Sequence, residues 1–135
     1  MTTRAPQVPE RGLLDTSVFI AREAGRPLGE LPEAAAISVI TVAELHLGVL
    51  MARQPAVRSQ RLRTLGAALD SFEPLPIDSE VARTFGDLVA EARRRGRRPK
   101  IMDTWIAATA VQHDLTVYTQ DEDFSLIPAV KVRRV

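Results

Sequence analysis

No cysteine occurs in this chain of 135 residues, which excludes disulfides, a thiolate nucleophile and any zinc–thiolate site. The two histidines, His46 and His113, cannot complete a structural zinc shell alone and do not stand at a ligand spacing from each other. Both are read as surface or partner-contact residues beside polar helix faces. Aromatic side chains are scarce too, with one Trp, one Tyr and four Phe. Recognition by stacking on splayed bases therefore has few residues to use; Trp105 is the one candidate, with a place in the core as its alternative. Long apolar runs are also missing. The opening MTTRAPQVPERG is polar and proline-containing, and no later stretch approaches a membrane span, so a cytoplasmic protein is expected. An excess of one charge is absent as well: 18 Lys and Arg against 17 Asp and Glu leave a formal net charge of +1. Any affinity for nucleic acid must come from local clustering of charge. What the chain does have in quantity is carboxylate oxygen, the ligand of hard divalent cations.

At 45% apolar and 26% charged residues the composition is that of an ordinary globular protein. A single domain over residues 12–135 is expected behind a flexible N-terminal segment, 1–11. Short β-type runs alternate with longer helical ones: strands at 12–14, 36–39, 75–77 and 115–119, helices at 16–24, 41–53, 57–72 and from Asp103 to His113. In the segment 57–72, Leu62, Leu65, Leu69 and Phe72 fall at helical spacing and predict a buried face on an outer helix. Asp78 is a predicted N-cap for a helix whose stripe is Val81, Phe85, Leu88 and Ala92, ended by Gly96 and Pro99. The TWIAATAVQ run after Asp103 is apolar nearly all round, which predicts a central, covered helix. Val130, Val132 and Val135 suggest a last strand at a sheet edge. The rhythm favours an α/β fold, a mostly parallel sheet covered on both faces.

Four acids stand at equivalent places in this rhythm. Asp15 follows the first strand, Glu44 lies in the first turn of the helix after 37–40, Asp103 opens the apolar helix, and Asp121 follows the strand ending at Thr119. The carboxyl ends of parallel strands converge on one crevice, so the four could meet there. Two such charges about 4 Å apart repel by roughly 4 kcal/mol at an effective dielectric of 20, so the cluster takes up protons or binds a cation. Each acid alone also reads as a helix cap, and the sequence Thr41-Val42-Ala43-Glu44 is a good capping box. Their joint placement beside apolar flanks favours a site for Mg²⁺ or Mn²⁺.

LLDTSVFIA at 13–21, ISVITVAELHLGV at 37–49, DTWIAATAVQHDLTVYTQDEDF at 103–124 and the closing IPAVKV resemble a PIN domain, specifically a VapC-type toxin ribonuclease. The resemblance spans nearly the whole chain. It implies a three-layer α/β/α sandwich, Mg²⁺- or Mn²⁺-dependent endoribonuclease activity, homodimerisation and neutralisation by a VapB-type antitoxin. It implies Asp15, Glu44, Asp103 and Asp121 as catalytic and metal-binding residues, with Thr16, Thr119 and Asp123 in support. The ions would activate a water for in-line attack on a phosphodiester. RNA needs cations around such a pocket, and Arg93, Arg94, Arg95, Arg97, Arg98 and Lys100 put six positive charges into eight residues just before Asp103. Their alternative is a solvated helix end. A haloacid-dehalogenase-like phosphatase would want a second Asp two places after Asp15, where Ser17 stands. The acid pair and mid-chain Asp of a receiver module are not evident, and a catalytically silent PIN-like RNA- or protein-binding module remains the alternative.

Overall fold

The structure, a computed structural model, describes residues 10–135; of the segment 1–11, residues 1–9 lie outside it. The chain order is β1 (Arg11–Leu14), α1 (Thr16–Glu23), β2 (Ala34–Ser38), α2 (Val39–Met51), α3 (Pro55–Ser71), β3 (Pro74–Leu75), α4 (Ser79–Arg94), α5 (Ile101–Gln112), β4 (Thr116–Thr119), a 3-10 turn (Glu122–Leu126) and β5 (Val132–Arg134). The sheet runs β3-β2-β1-β4-β5, and every pairing is parallel. The last strand is at an edge, as the sequence predicts.

Alternation along the two central strands builds the layers. Leu13 and Val117 point to one face, where they join Val81, Leu88, Ile106 and Ala107 of α4 and α5. Leu14 and Tyr118 point to the other and join Phe19, Leu45, Val49 and Leu65 of α1, α2 and α3. Side chains that alternate on a strand serve opposite faces, so two cores and a three-layer α/β/α sandwich result. Helix α5 is covered along most of its length, from Asp103 to Ala110. Its hydroxyls are satisfied within the helix: Thr104 and Thr109 donate to the carbonyls of Lys100 and Trp105 at 2.8 and 2.9 Å. Among the described residues no helix is long and apolar enough to cross a membrane.

Several boundaries and faces depart from the sequence expectations. Helix α2 begins two residues early because Ser38, not Thr41, caps it, accepting from the Ile40 N–H at 3.0 Å. On α3 the buried residues are Leu65 and Ala68, while Leu62 and Leu69 are 56% and 46% exposed. The apolar residues of that helix lie on more than one side, and the inner stripe passes through small Ala68. Trp105 stacks on Phe85, with centroids 3.7 Å apart and rings 11° from parallel, and packs against the α4–α5 core. That overturns the base-stacking reading. His113 is half-buried at the end of α5 with its Nε2 enclosed and unpartnered, so it is not a surface residue; His46 is exposed as expected. Asp78 does cap α4, accepting from the Val81 N–H at 2.9 Å.

Gly12 sits where β1 passes under the Tyr118 ring. A Cβ there would lie 2.7 Å from both Pro32 Cγ and Tyr118 Cε1. Tyr118 is buried, so its ring has no room to retreat. Gly12→Ala is expected to cost about 1–3 kcal/mol, read as a lower thermal midpoint. An unchanged midpoint would mean that the ring yields freely.

Candidate functional site

Asp15 leaves β1 with its backbone still in the ladder, its N–H donating to the Tyr118 carbonyl at 2.9 Å. The side chain is buried and also caps α1, but the capping bond from the Ser17 N–H is long, 3.4 Å. The shorter bond comes from the hydroxyl of Thr119 on the neighbouring strand, at 2.9 Å to Asp15 Oδ2. That same Thr119 oxygen accepts from the Asp121 N–H at 2.9 Å. One buried hydroxyl thus fixes two acids. Ser17 closes the arrangement, its Oγ 3.1 Å from Thr119 Oγ1 and accepting from the Gln120 N–H at 2.9 Å. In the sequence Ser17 marks only the absence of a second Asp; the signal that points to it is its position one residue past Thr16, on the first turn above the strand.

Glu44 makes no capping box, because the cap of α2 is Ser38 and Glu44 lies too far along the helix. Its Oε1 is 2.7 Å from Thr16 Oγ1, which is in turn 3.0 Å from Thr41 Oγ1. Burial raises the Glu44 carboxyl above its ordinary range against the opposing effect of the Thr16 hydrogen bond. Asp103 is not the first residue of α5, which starts at Ile101 behind Lys100, and it caps nothing. The residue is 8% exposed, and its Oδ2 is buried without a hydrogen-bond partner. Burial foremost, then the charges of Asp15 and Asp121, push this carboxyl up to about 7. Asp121 caps the 3-10 turn, its Oδ1 accepting from the Asp123 N–H at 2.9 Å. Lys100 Nζ lies 3.0 Å from Asp123 Oδ2 and 3.7 Å from Asp121 Oδ2, and these acids hold the ammonium above its ordinary pKa.

Asp15, Glu44, Asp103 and Asp121 line one cleft of about 380 Å³, together with Thr16, Ser17 and Lys100. The cleft lies at the carboxyl ends of β1, β2 and β4, where an open parallel sheet places ligands. Of the basic run, only Lys100 lines it. The arginines stand at the end of α4 that neighbours the start of α5, since Glu80 and Thr84 near the other end bond to Gln112. Arg94 and Arg95 pair there with Glu91 at 3.2 and 3.0 Å.

Among the described residues, no group of three or more His, Cys, Asp or Glu side chains is arranged to hold a metal ion as it stands. The donor set is nonetheless that of a hard divalent cation: oxygen only, like-charged, and with the buried Asp103 Oδ2 left without a partner.

The chain matches the PIN domain family model over residues 12–130. It is 47% identical over 121 residues to ribonuclease VapC5 of Mycobacterium tuberculosis, covering 88% of this chain and 89% of that relative. It is 44% identical over 124 residues to ribonuclease VapC4 of the same organism, covering 90% and 95%. Among solved structures it resembles the crystal structure of VapBC-5, a member of the VapBC family of toxin-antitoxin systems from M. tuberculosis, with a TM-score of 0.79 and 44% identity over 94% of this chain and 98% of that one. With the model matched from the first central strand to the end of the cleft, this chain belongs to the PIN domain family.

Proposed function

We propose that this chain is a metal-dependent endoribonuclease, the toxin of a VapBC-type toxin–antitoxin pair, acting in the cytoplasm through one domain over residues 12–135. The observation that carries the reading is the buried, unpartnered carboxylate of Asp103 in a cleft shared with Asp15, Glu44 and Asp121. These four residues would hold a divalent cation, Mg²⁺ or Mn²⁺. When bound, such an ion supplies Lewis-acid activation of water and neutralisation of phosphate charge.

The chain's own groups do the rest. Thr119 orients Asp15 and the backbone of Asp121, and Thr16 orients Glu44. Glu44, with its raised pKa, is suited to take the proton of an attacking water. Asp123 holds Lys100 at the cleft. Carboxylates alone repel RNA, so Arg93, Arg94, Arg95, Arg97, Arg98 and Lys100 form the attracting rim. The pairs that Arg94 and Arg95 make with Glu91 are exposed and readily exchanged for phosphate.

Partners follow from the relatives and the surface. The related VapBC-5 structure supports a VapB-type antitoxin. Exposed Leu47, Leu50 and Met51 of α2, with Leu62 and Leu69 of α3, are the sort of apolar surface that the antitoxin or a second copy in a homodimer would cover. The test is cleavage of total RNA by antitoxin-free protein in Mg²⁺, Mn²⁺ or EDTA. Cutting with either metal and none in EDTA is expected. Intact RNA in the presence of folded, metal-supplied protein would favour a silent RNA- or protein-binding module instead.

A further inference from the structure

The carboxylates around the cleft divide into two groups by their counter-charge. Asp121 and Asp123 share the Lys100 ammonium, at 3.7 and 3.0 Å. Asp15, Glu44 and Asp103 have no salt-bridge partner among the described residues. Their oxygens meet hydroxyls and backbone N–H groups, or, for Asp103 Oδ2, nothing. Direct contact with a cation is thus made by Asp121 and Asp123, while Glu44 and Asp103 feel the Lys100 charge only at longer range.

The backbone that carries this cation is fixed. The Lys100 carbonyl accepts from both the N–H and the hydroxyl of Thr104, at 3.0 and 2.8 Å, fixing the residue at the head of α5. Opposite it, the Asp121 backbone is held by Thr119 and its side chain by the Asp123 N–H. A small divalent ion binding Asp121 and Asp123 would need their oxygens at about 2.0–2.1 Å, in the space the ammonium takes. A second dication beside the first would also have to displace a charge of its own sign that is covalently bound to return.

We propose that Lys100 stands in for a second divalent cation: of the four acids assigned to the metal above, Asp15, Glu44 and Asp103 hold the one ion, and Asp121 is turned instead to the Lys100 ammonium, the second positive charge, which it shares with Asp123. The inference rests on the metal-dependent reading above and deepens it. An ammonium is a compact charge with three donors and no Lewis acidity. Lys100, one of the rim cations assigned above, then also offers hydrogen bonds to phosphate oxygens inside the cleft, where Asp121 and Asp123 hold it.

Manganese binding to the full chain distinguishes the possibilities, with free Mn²⁺ followed by electron paramagnetic resonance and confirmed by calorimetry. The native chain is expected to bind one Mn²⁺, Lys100→Met two, and Lys100→Arg one. Lys100 is 65% exposed, so its neutral variants should fold; Lys100→Gln repeats the measurement with a polar side chain, and thermal melts confirm folding. Two ions in the native chain, or one in both native and neutral variants, overturns the role of Lys100 while leaving metal-dependent cutting of RNA intact. No Mn²⁺ in any of them overturns this inference and the metal-dependent reading together.

Discussion

Asp103→Asn is expected to abolish RNA cutting and, without metal, to make the protein more stable at neutral pH than the native chain. Burial foremost and then Asp15 and Asp121 raise the Asp103 carboxyl to about 7, above an unfolded value near 3.8. Between those values the folded state holds a proton that the unfolded state has lost. Stability is therefore greatest at the acid end of this window and falls as pH rises from about 4 through about 7. At pH 8 the ionised, desolvated carboxylate should cost the metal-free native fold on the order of 4 kcal/mol, many degrees in thermal midpoint. Asparagine carries no charge to desolvate, so its midpoint should exceed the native one at pH 8 and approach it at pH 4. Melts in EDTA across that range test this; parallel pH profiles would refute it. Metal should narrow the gap, because the native site gains a linkage term of about 2.7 kcal/mol at a hundredfold excess over Kd. Activity lost by about a hundredfold or more, with stability gained, separates a functional acid from a structural one.

Thr119→Val should be damaging for a different reason. The substitution keeps the shape but deletes a hydroxyl that donates to Asp15 Oδ2, accepts from the Asp121 N–H and contacts Ser17 Oγ. Position 119 is fully buried, so no water replaces those bonds. Each polar group left unpaired costs roughly 1–3 kcal/mol, and a total loss of about 2–4 kcal/mol is expected in chemical denaturation. Mn²⁺ affinity should also fall by at least tenfold, as when a metal ligand loses its orienting partner. Thr119→Ser keeps the hydroxyl and should restore most of the affinity. A valine variant that binds Mn²⁺ as the native chain does would show that Asp15 and Asp121 need no such alignment.

Much of this site is legible in the chain because its acids sit against their surroundings. Asp15 after Leu13 and Leu14, and Asp103 before an apolar helix, are charges where charge is costly, and the alternating strands place both at one end of the sheet. Helix caps are less legible, since Ser38 and Thr41 are both good caps and only the packed position of α2 chooses between them. That choice decides whether Glu44 bonds to its own helix or to Thr16 on another. The inner face of α3 is obscured because apolar residues occur on several sides and the buried contact uses an alanine. The division of acids by Lys100 depends on a meeting across the cleft between the head of α5 and the 3-10 turn, and no local pattern encodes it.

The bond between Thr119 and Asp15 joins residues 104 positions apart, across two strands that pair only when the sheet is complete. A growing chain carries Asp15 and Glu44 well before it carries the hydroxyl that aligns the first of them. Contacts so distant in sequence form late and cooperatively. The alignment of Asp15 is therefore gained only when β4 docks beside β1, so the acid cluster is put in order by long-range sheet pairing and by no local segment of the chain.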